Sequence, residues 1–240
     1  MKFYTSPRTF TINPCGGNYD SDDRRPEPGP APAPFTGGFE RCKLFLSMET
    51  TCAILSGGRS TRMGRDKALV RIGGRTLVKC AYDVARKVFK RIIVVSSLHE
   101  AMDGVDAPIV EDVLPIPGSL TGIASALMHA ETPYVFVLGS DMPFVTPEAM
   151  AYVVDAWRGE DIVIPRTDAG LEPMHSLYGR SCISPILSAI ERRNMKVIDL
   201  LSLVPVKVLP PGPIFMNRGV SVFTNINTEE DLRIARRLLP

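Results

Sequence analysis

Aromatic residues make up only 7% of this 240-residue chain, with one tryptophan, and the charges nearly cancel at a net +2. A nucleic-acid surface needs a strong positive field, and single-strand binding adds basic runs interleaved with aromatics; neither is present. No apolar run approaches the roughly 20 residues needed to cross a bilayer, and the N-terminus lacks the compact apolar region of a secretion signal. The expectation is a cytoplasmic protein with neither nucleic acid nor membrane among its partners. The five cysteines, Cys15, Cys42, Cys52, Cys80 and Cys182, are odd in number and scattered, without the paired spacing of a zinc site or a disulfide framework. They read as free thiols, Cys52 in a buried strand and Cys80 and Cys182 in helices.

What the chain does have is core material: 45% of its residues are hydrophobic, ample for one α/β domain. Residues 1–47 differ from the rest. Proline alternates with glutamate, glycine and alanine from Pro26 to Pro34, charges cluster from Asp20 to Arg25, and no apolar periodicity appears. That composition predicts a disordered tail, or a start placed too early ahead of Met48. Residues 48–240 are expected to form a single domain.

From Thr51 onward, short β-branched runs alternate with amphipathic stretches, the pattern of a mostly parallel sheet wrapped by helices. Strands are expected near Cys52–Leu55, Ile92–Ser96, Pro108–Val110, Tyr134–Leu138, Ile162–Pro165, Pro173–Tyr178 and Val206–Leu209. Helices should occupy much of Thr76–Val88, Leu120–Ala130, Pro147–Ala156, Cys182–Glu191, Val197–Leu201 and Thr228–Leu238. Thr146 before Pro147, and Thr228 three residues before Asp231, have the form of helix starts. In such sheets ligands sit beyond the carboxyl ends of the strands, so function should gather after Leu55, Ser96, Val110 and Leu138.

The first of those turns is the most informative. Ala53-Ile54-Leu55-Ser56-Gly57-Gly58-Arg59-Ser60-Thr61-Arg62-Met63-Gly64-Arg65-Asp66-Lys67 joins an apolar strand to a glycine-rich, cationic loop. Gly57 and Gly58 let main-chain N–H groups approach a ligand with no Cβ in the way, and successive amides pointing inward form an anion-binding nest. Arg62 adds a planar fork of donors and Lys67 a mobile point charge. The loop is neither a Walker A sequence nor a dinucleotide fingerprint, since neither glycine spacing is met.

The second is Tyr134-Val135-Phe136-Val137-Leu138-Gly139-Ser140-Asp141-Met142-Pro143, a buried strand ending in an acid. Asp141 is placed either to cap the turn before Pro143 or to hold Mg²⁺, which needs only one or two carboxylates besides substrate phosphates. A third block runs from Val110-Glu111-Asp112-Val113 to Pro117-Gly118-Ser119-Leu120-Thr121-Gly122, where a helix opening can receive an anion. Near the C-terminus, Asn225 and Asn227 in Phe223-Thr224-Asn225-Ile226-Asn227-Thr228 are two apart, so on an extended segment their amides face one side. They read equally as turn formers ahead of a helix. His175 reads as a strand residue with a satisfied ring.

The loop resembles the signature Leu-x-Gly-Gly-x-Ser-x-Arg-Met-Gly-x-Asp-Lys of the nucleotidyltransferases, and from Thr51 to the C-terminus the blocks follow the order of the molybdenum cofactor guanylyltransferases. The resemblance implies a Rossmann-like, GT-A-like, three-layer α/β/α nucleotidyltransferase fold. It further implies transfer of GMP from Mg-GTP to the terminal phosphate of molybdopterin, with release of pyrophosphate. Leu55, Ser56, Gly57, Gly58, Lys67, Asp112 and Asp141 would contact the nucleotide, and Asp141 would also bind Mg²⁺. Arg62, Lys67 and Asp141 would be catalytic; Gly118, Gly122, Asn225 and Asn227 would face the acceptor. Other molybdenum cofactor biosynthesis proteins and molybdoenzyme apoproteins are the partners that resemblance suggests.

The chain departs from the family in places. Ser119 stands where a proline is usual, Ser96 where an asparagine is common, and Glu172 where many relatives have histidine. A molybdopterin cytidylyltransferase, a sugar-phosphate nucleotidyltransferase and a nucleotide-binding regulatory module remain as alternatives. Gly57-Gly58 resembles the guanylyl type, whereas the other transferases usually read Leu-Ala-Ala-Gly. A glycosyltransferase would normally show Asp-x-Asp, which Ser140-Asp141-Met142 lacks.

Overall fold

The computed structural model describes residues 49–56, 70–97 and 102–239. The proline-rich stretch 1–47, with Cys15 and Cys42, lies outside them, as does His99. The order begins with strand β1 (Thr50–Leu55), a small hairpin of β2 (Arg71–Ile72) and β3 (Arg75–Thr76), then helix α1 (Leu77–Ala85). Next come β4 (Arg91–Val95), β5 (Ile109–Val110), α2 (Ser119–His129), β6 (Tyr134–Gly139) and α3 (Pro147–Asp155). β7 (Ile162–Thr167), β8 (Gly170–Leu171), β9 (His175–Gly179), α4 (Ile183–Glu191), α5 (Val197–Leu200) and β10 (Val206–Leu209) follow. The hairpin of β11 (Met216–Asn217) and β12 (Val220–Ser221) and helix α6 (Glu229–Leu238) complete the described chain.

The central sheet runs β10-β7-β9-β6-β1-β4-β5, with β8 paired to β7. Along that path only β9 runs antiparallel to its neighbours. Burial on both faces explains the nearly continuous apolar reading of β1 and β6. Cys52, Ile54, Phe136 and Leu138 face one core with Val78, Ala81 and Ala85 of α1 and Ala149, Met150 and Val153 of α3. Ala53, Val135 and Val137 face the other, with Leu120, Ile123, Ala124 and Leu127 of α2 and Ile186 and Ile190 of α4. The layers are therefore helix, sheet, helix. A smaller cluster sets Leu232 and Ala235 of α6 against Val70, Ile72, Leu77, Phe144 and Ile226.

Local chemistry sets the helix starts. The Thr76 and Thr146 hydroxyls accept from the amides of Lys79 and Ala149, both at 3.2 Å, and Pro147 occupies the first turn of α3. Thr228 and Asp231 make a reciprocal capping box at α6. α1 ends three residues before the expected Val88 because its last turn tightens, with the Lys87 and Val88 amides bonding the carbonyls three residues back. β9 begins at His175 and not at Pro173, which has no N–H to give a ladder. Cys182 sits in a single 3₁₀ turn just ahead of α4, not within the helix. Burial raises the pKa of the Cys52 and Cys80 thiols and pushes that of Cys182 up to about 12, so these free cysteines stay protonated near neutrality.

Candidate active site

The sheet register places the polar strand ends in one row. Leu55 of β1 pairs with Val95 of β4 on one side and Gly139 of β6 on the other, while Val95 pairs with Val110 of β5. The next residue on three of these strands extends the ladder: Ser56 donates to the Val95 carbonyl at 2.9 Å, Ser96 to Val110 at 2.9 Å, and Ser140 to Leu55 at 3.1 Å. Four adjacent strands at about 4.8 Å spacing give a rim about 14 Å long, enough for an extended nucleoside triphosphate. Asp112 and Asp141 stand two residues beyond the rim, past the ends of β5 and β6 respectively.

Asp112 is exposed but anchored. The Ser125 hydroxyl of α2 lies 3.0 Å from its Oδ1 and 2.8 Å from the Thr121 carbonyl, and accepts from the Val113 amide at 3.0 Å. Nothing in the chain's spacing singled out Ser125; only the helical turn that stacks it over Thr121 brings it to Asp112. Gly122, in the first turn of the same helix, packs against Leu55, for a Cβ there would meet Leu55 Cδ1 at 2.9 Å. Gly118 precedes α2 at φ 154°, a backbone conformation that favours glycine, and no side chain caps the helix. The opening of α2 is thus held close to the end of β1, with its first amides uncapped by any side chain.

Asp141 is half-buried, and its carbonyl accepts from the Ile226 amide at 2.9 Å. That bond brings the C-terminal block to the metal candidate. Ile226 is buried in the α6 cluster while Asn225 and Asn227 on either side stay half-buried, the alternation expected of an extended segment. The Asn225 Oδ1 is buried with no hydrogen-bond partner among the described residues, and the Asn227 amide donates to Asp231 at 2.9 Å. A half-buried carboxylate at a strand end, with an unpartnered amide oxygen on the adjoining segment, suits Mg²⁺, a hard cation that keeps water and phosphate ligands for its remaining positions. Gly57, Gly58, Arg62 and Lys67 lie outside the described residues. The structure therefore brings Leu55, Ser56, Asp112, Gly118, Gly122, Asp141 and Asn225 to one end of the sheet.

His175 departs from expectation. Its ring is fully buried against Phe136 and Phe223, and neither nitrogen has a hydrogen-bond partner among the described residues. Burial lowers its pKa to about 4, with the Ala149 backbone opposing the change. Glu172 is half-buried beside the Thr167 hydroxyl at 3.1 Å, and desolvation raises its pKa despite that bond. An open hollow of about 850 Å³ is lined by Arg86, Lys90, Arg91 and Glu131, among others. It lies mostly beside the opening residues of β1 and β4 and meets the rim only at Val110; Leu55, Asp112 and Asp141 do not line it.

A mostly parallel α/β sheet layered between helices, with polar residues following its strand ends along one rim, is the framework of the Rossmann-like nucleotidyltransferases. The chain belongs to the MobA-like NTP transferase domain family, which matches residues 52–204. A probable molybdenum cofactor guanylyltransferase of Pelotomaculum thermopropionicum is 33% identical over 79% of this chain and 93% of its own length. Another from Pyrococcus furiosus is 34% identical over 75% of this chain and 93% of its own. Among solved structures, molybdopterin-guanine dinucleotide biosynthesis protein A of Archaeoglobus fulgidus superposes with a TM-score of 0.67 at 26% identity, covering 78% of this chain and 97% of that one.

Proposed function

We propose that this chain transfers the GMP moiety of GTP to the terminal phosphate of molybdopterin, in the cytoplasm, with Mg²⁺ as cofactor. The observation that carries the reading is the registered rim of β5, β4, β1 and β6, in which Leu55 lies level with Val95 and Gly139, and Asp112 and Asp141 follow two residues after the ends of β5 and β6. The named activities of the relatives from Pelotomaculum thermopropionicum and Pyrococcus furiosus support the choice of GTP and molybdopterin. So does the Gly57-Gly58 pair in the loop after β1.

A phosphate oxygen of the acceptor bonds to the α-phosphorus as the bond from that phosphorus to the α,β-bridging oxygen breaks, and pyrophosphate leaves with the electron pair. The nucleophile is already an anion, so a general base contributes little; positioning and charge neutralisation must lower the barrier. Leu55 to Gly58 and Asp112 hold the nucleoside and phosphates, while Arg62 and Lys67 steady the triphosphate and the departing pyrophosphate. Asp141 would hold Mg²⁺, which when bound would neutralise phosphate charge. Gly118, Gly122, Asn225 and Asn227 border the acceptor.

Pyrophosphate release measured with each nucleoside triphosphate in the presence of molybdopterin tests the reading. GTP should exceed CTP, UTP and ATP, and Lys67→Ala should lower turnover by at least about a hundredfold with the fold intact. Equal rates with CTP would refute the guanylyl assignment, and parental turnover in Lys67→Ala would refute the role of the loop.

A further inference from the structure

We propose that Gly139 is a positioning residue for the Asp141 carboxylate, an inference that rests on the metal role given to Asp141 above. The glycine is not required by its backbone: φ at residue 139 is not among the positive values, so alanine fits conformationally. Nor does strand propensity ask for it, since glycine inside a strand weakens it. What a side chain would meet explains its absence. A Cβ on Gly139 would lie 3.0 Å from Asp141 Oδ1, 3.4 Å from Met174 Cβ and 3.7 Å from Met142 Cε. The carboxylate oxygen is thus the nearest obstacle, lying against the bare end of β6.

The surrounding main chain cannot easily yield. Gly139 donates to the Met174 carbonyl at 2.9 Å, Ser140 to Leu55 at 3.1 Å, and the Asp141 carbonyl accepts from Ile226 at 2.9 Å. Three long-range bonds on three successive residues pin this turn to β1, to the segment ahead of β9 and to the segment before α6. A new Cβ is therefore accommodated by turning the Asp141 side chain, by a few tenths of an ångström or more. Mg²⁺ holds its ligands at about 2.0–2.1 Å in near-ideal octahedral geometry, so such a shift is felt at the metal before it is felt in the fold.

The test uses the full chain and its Gly139→Ala, Asp141→Asn and doubly substituted forms. Mn²⁺ binding in the presence of GTP is followed by electron paramagnetic resonance, GTP binding is measured with chelator, and thermal melting is recorded. Gly139→Ala should weaken Mn²⁺ binding about tenfold or more, the scale usual for groups that orient a metal ligand. Metal-free GTP binding and the melting temperature should stay near parental values, and the double variant should bind Mn²⁺ no worse than Asp141→Asn alone. Half-saturating Mg²⁺ for pyrophosphate release should rise in parallel. If Asp141→Asn weakens Mn²⁺ binding and Gly139→Ala does not, the positioning role is wrong while the metal site stands. A parallel loss of metal-free GTP binding in Gly139→Ala would assign the residue to the fold, and also overturn the proposal. If Asp141→Asn itself leaves Mn²⁺ binding unchanged, the metal role of Asp141 falls and takes the proposal with it.

Discussion

His175 should make this protein acid-sensitive, and replacing it with leucine should remove much of that sensitivity. The ring has no solvent exposure and packs edge-on against Phe136 at 5.0 Å and Phe223 at 5.2 Å, leaving no partner among the described residues for a second proton. Its pKa falls from the ordinary 6.5 to about 4 for that reason. The native state therefore keeps the ring neutral while the unfolded chain takes up the proton. The stability this confers is fully present above pH 6.5 and is lost as the pH falls through about 4. At about 1.4 kcal/mol per tenfold difference in proton affinity, the loss is about 2 kcal/mol by pH 5 and about 3 kcal/mol by pH 4. For a domain of this size that corresponds to a fall in Tm of about 6–12 °C. Because carboxylates also titrate in this range, the quantity to measure is the difference between the parent and His175→Leu in chemical denaturation at pH 7, 5 and 4. The variant should match or exceed the parent at pH 7 and gain about 3 kcal/mol relative to it by pH 4. Parallel stability curves for the two proteins would refute the reasoning.

Glu172 offers a test of opposite sign. Burial raises its pKa, so the ionised form is disfavoured in the folded state, and its contribution to stability is lost as the pH rises through the raised value. Glu172→Gln should melt higher than the parent at pH 7, with the advantage disappearing in acid below the ordinary glutamate range; an advantage independent of pH would count against this. Ser125→Ala should weaken nucleotide binding about fivefold while kcat changes little, because it releases Asp112 without touching the reacting phosphates. Equilibrium titration with GTP checks it, and unchanged affinity would deny Asp112 its anchored role. The same variant should lose about 1–2 kcal/mol of stability, since the Val113 amide loses its acceptor.

The sheet was legible because its signal is local. β1 and β6 are apolar on both faces and end in residues of unusual polarity, so both the strands and the edge where chemistry belongs can be read along the chain. All seven expected strands and all six expected helices are present, with boundaries displaced where a backbone detail intervenes, as at Pro173 and Val88. The hairpin of β2 and β3, strand β8 and the hairpin of β11 and β12 went unread, because two-residue strands carry no periodicity to detect and, unlike the equally short β5, these fall outside the alternation of core strands and helices. His175 misled for a related reason. A histidine within a strand has the same sequence signature whether its ring is bonded or orphaned, and the distinction comes from Phe223 and the neighbouring β6.

What the sequence could not supply is the pinning of one block against another. Asp141 is recognisable as an acid at a strand end, and Asn225 as an amide before a helix, yet the 2.9 Å bond from Ile226 to the Asp141 carbonyl is what makes them neighbours. Ser125 and Asp112 stand in the same relation across 13 residues, and Gly122 and Leu55 across the first turn of α2. In each pair one member carries a recognisable chemical role and the other only a shape: a short hydroxyl, an absent Cβ, or a backbone amide. Residues of the second kind act by fixing where the first kind sit, and a site whose barrier is lowered mainly by positioning depends on both. Substitutions that change only shape, such as at Gly139, should therefore reach metal affinity as surely as removing the carboxylate itself, though less completely.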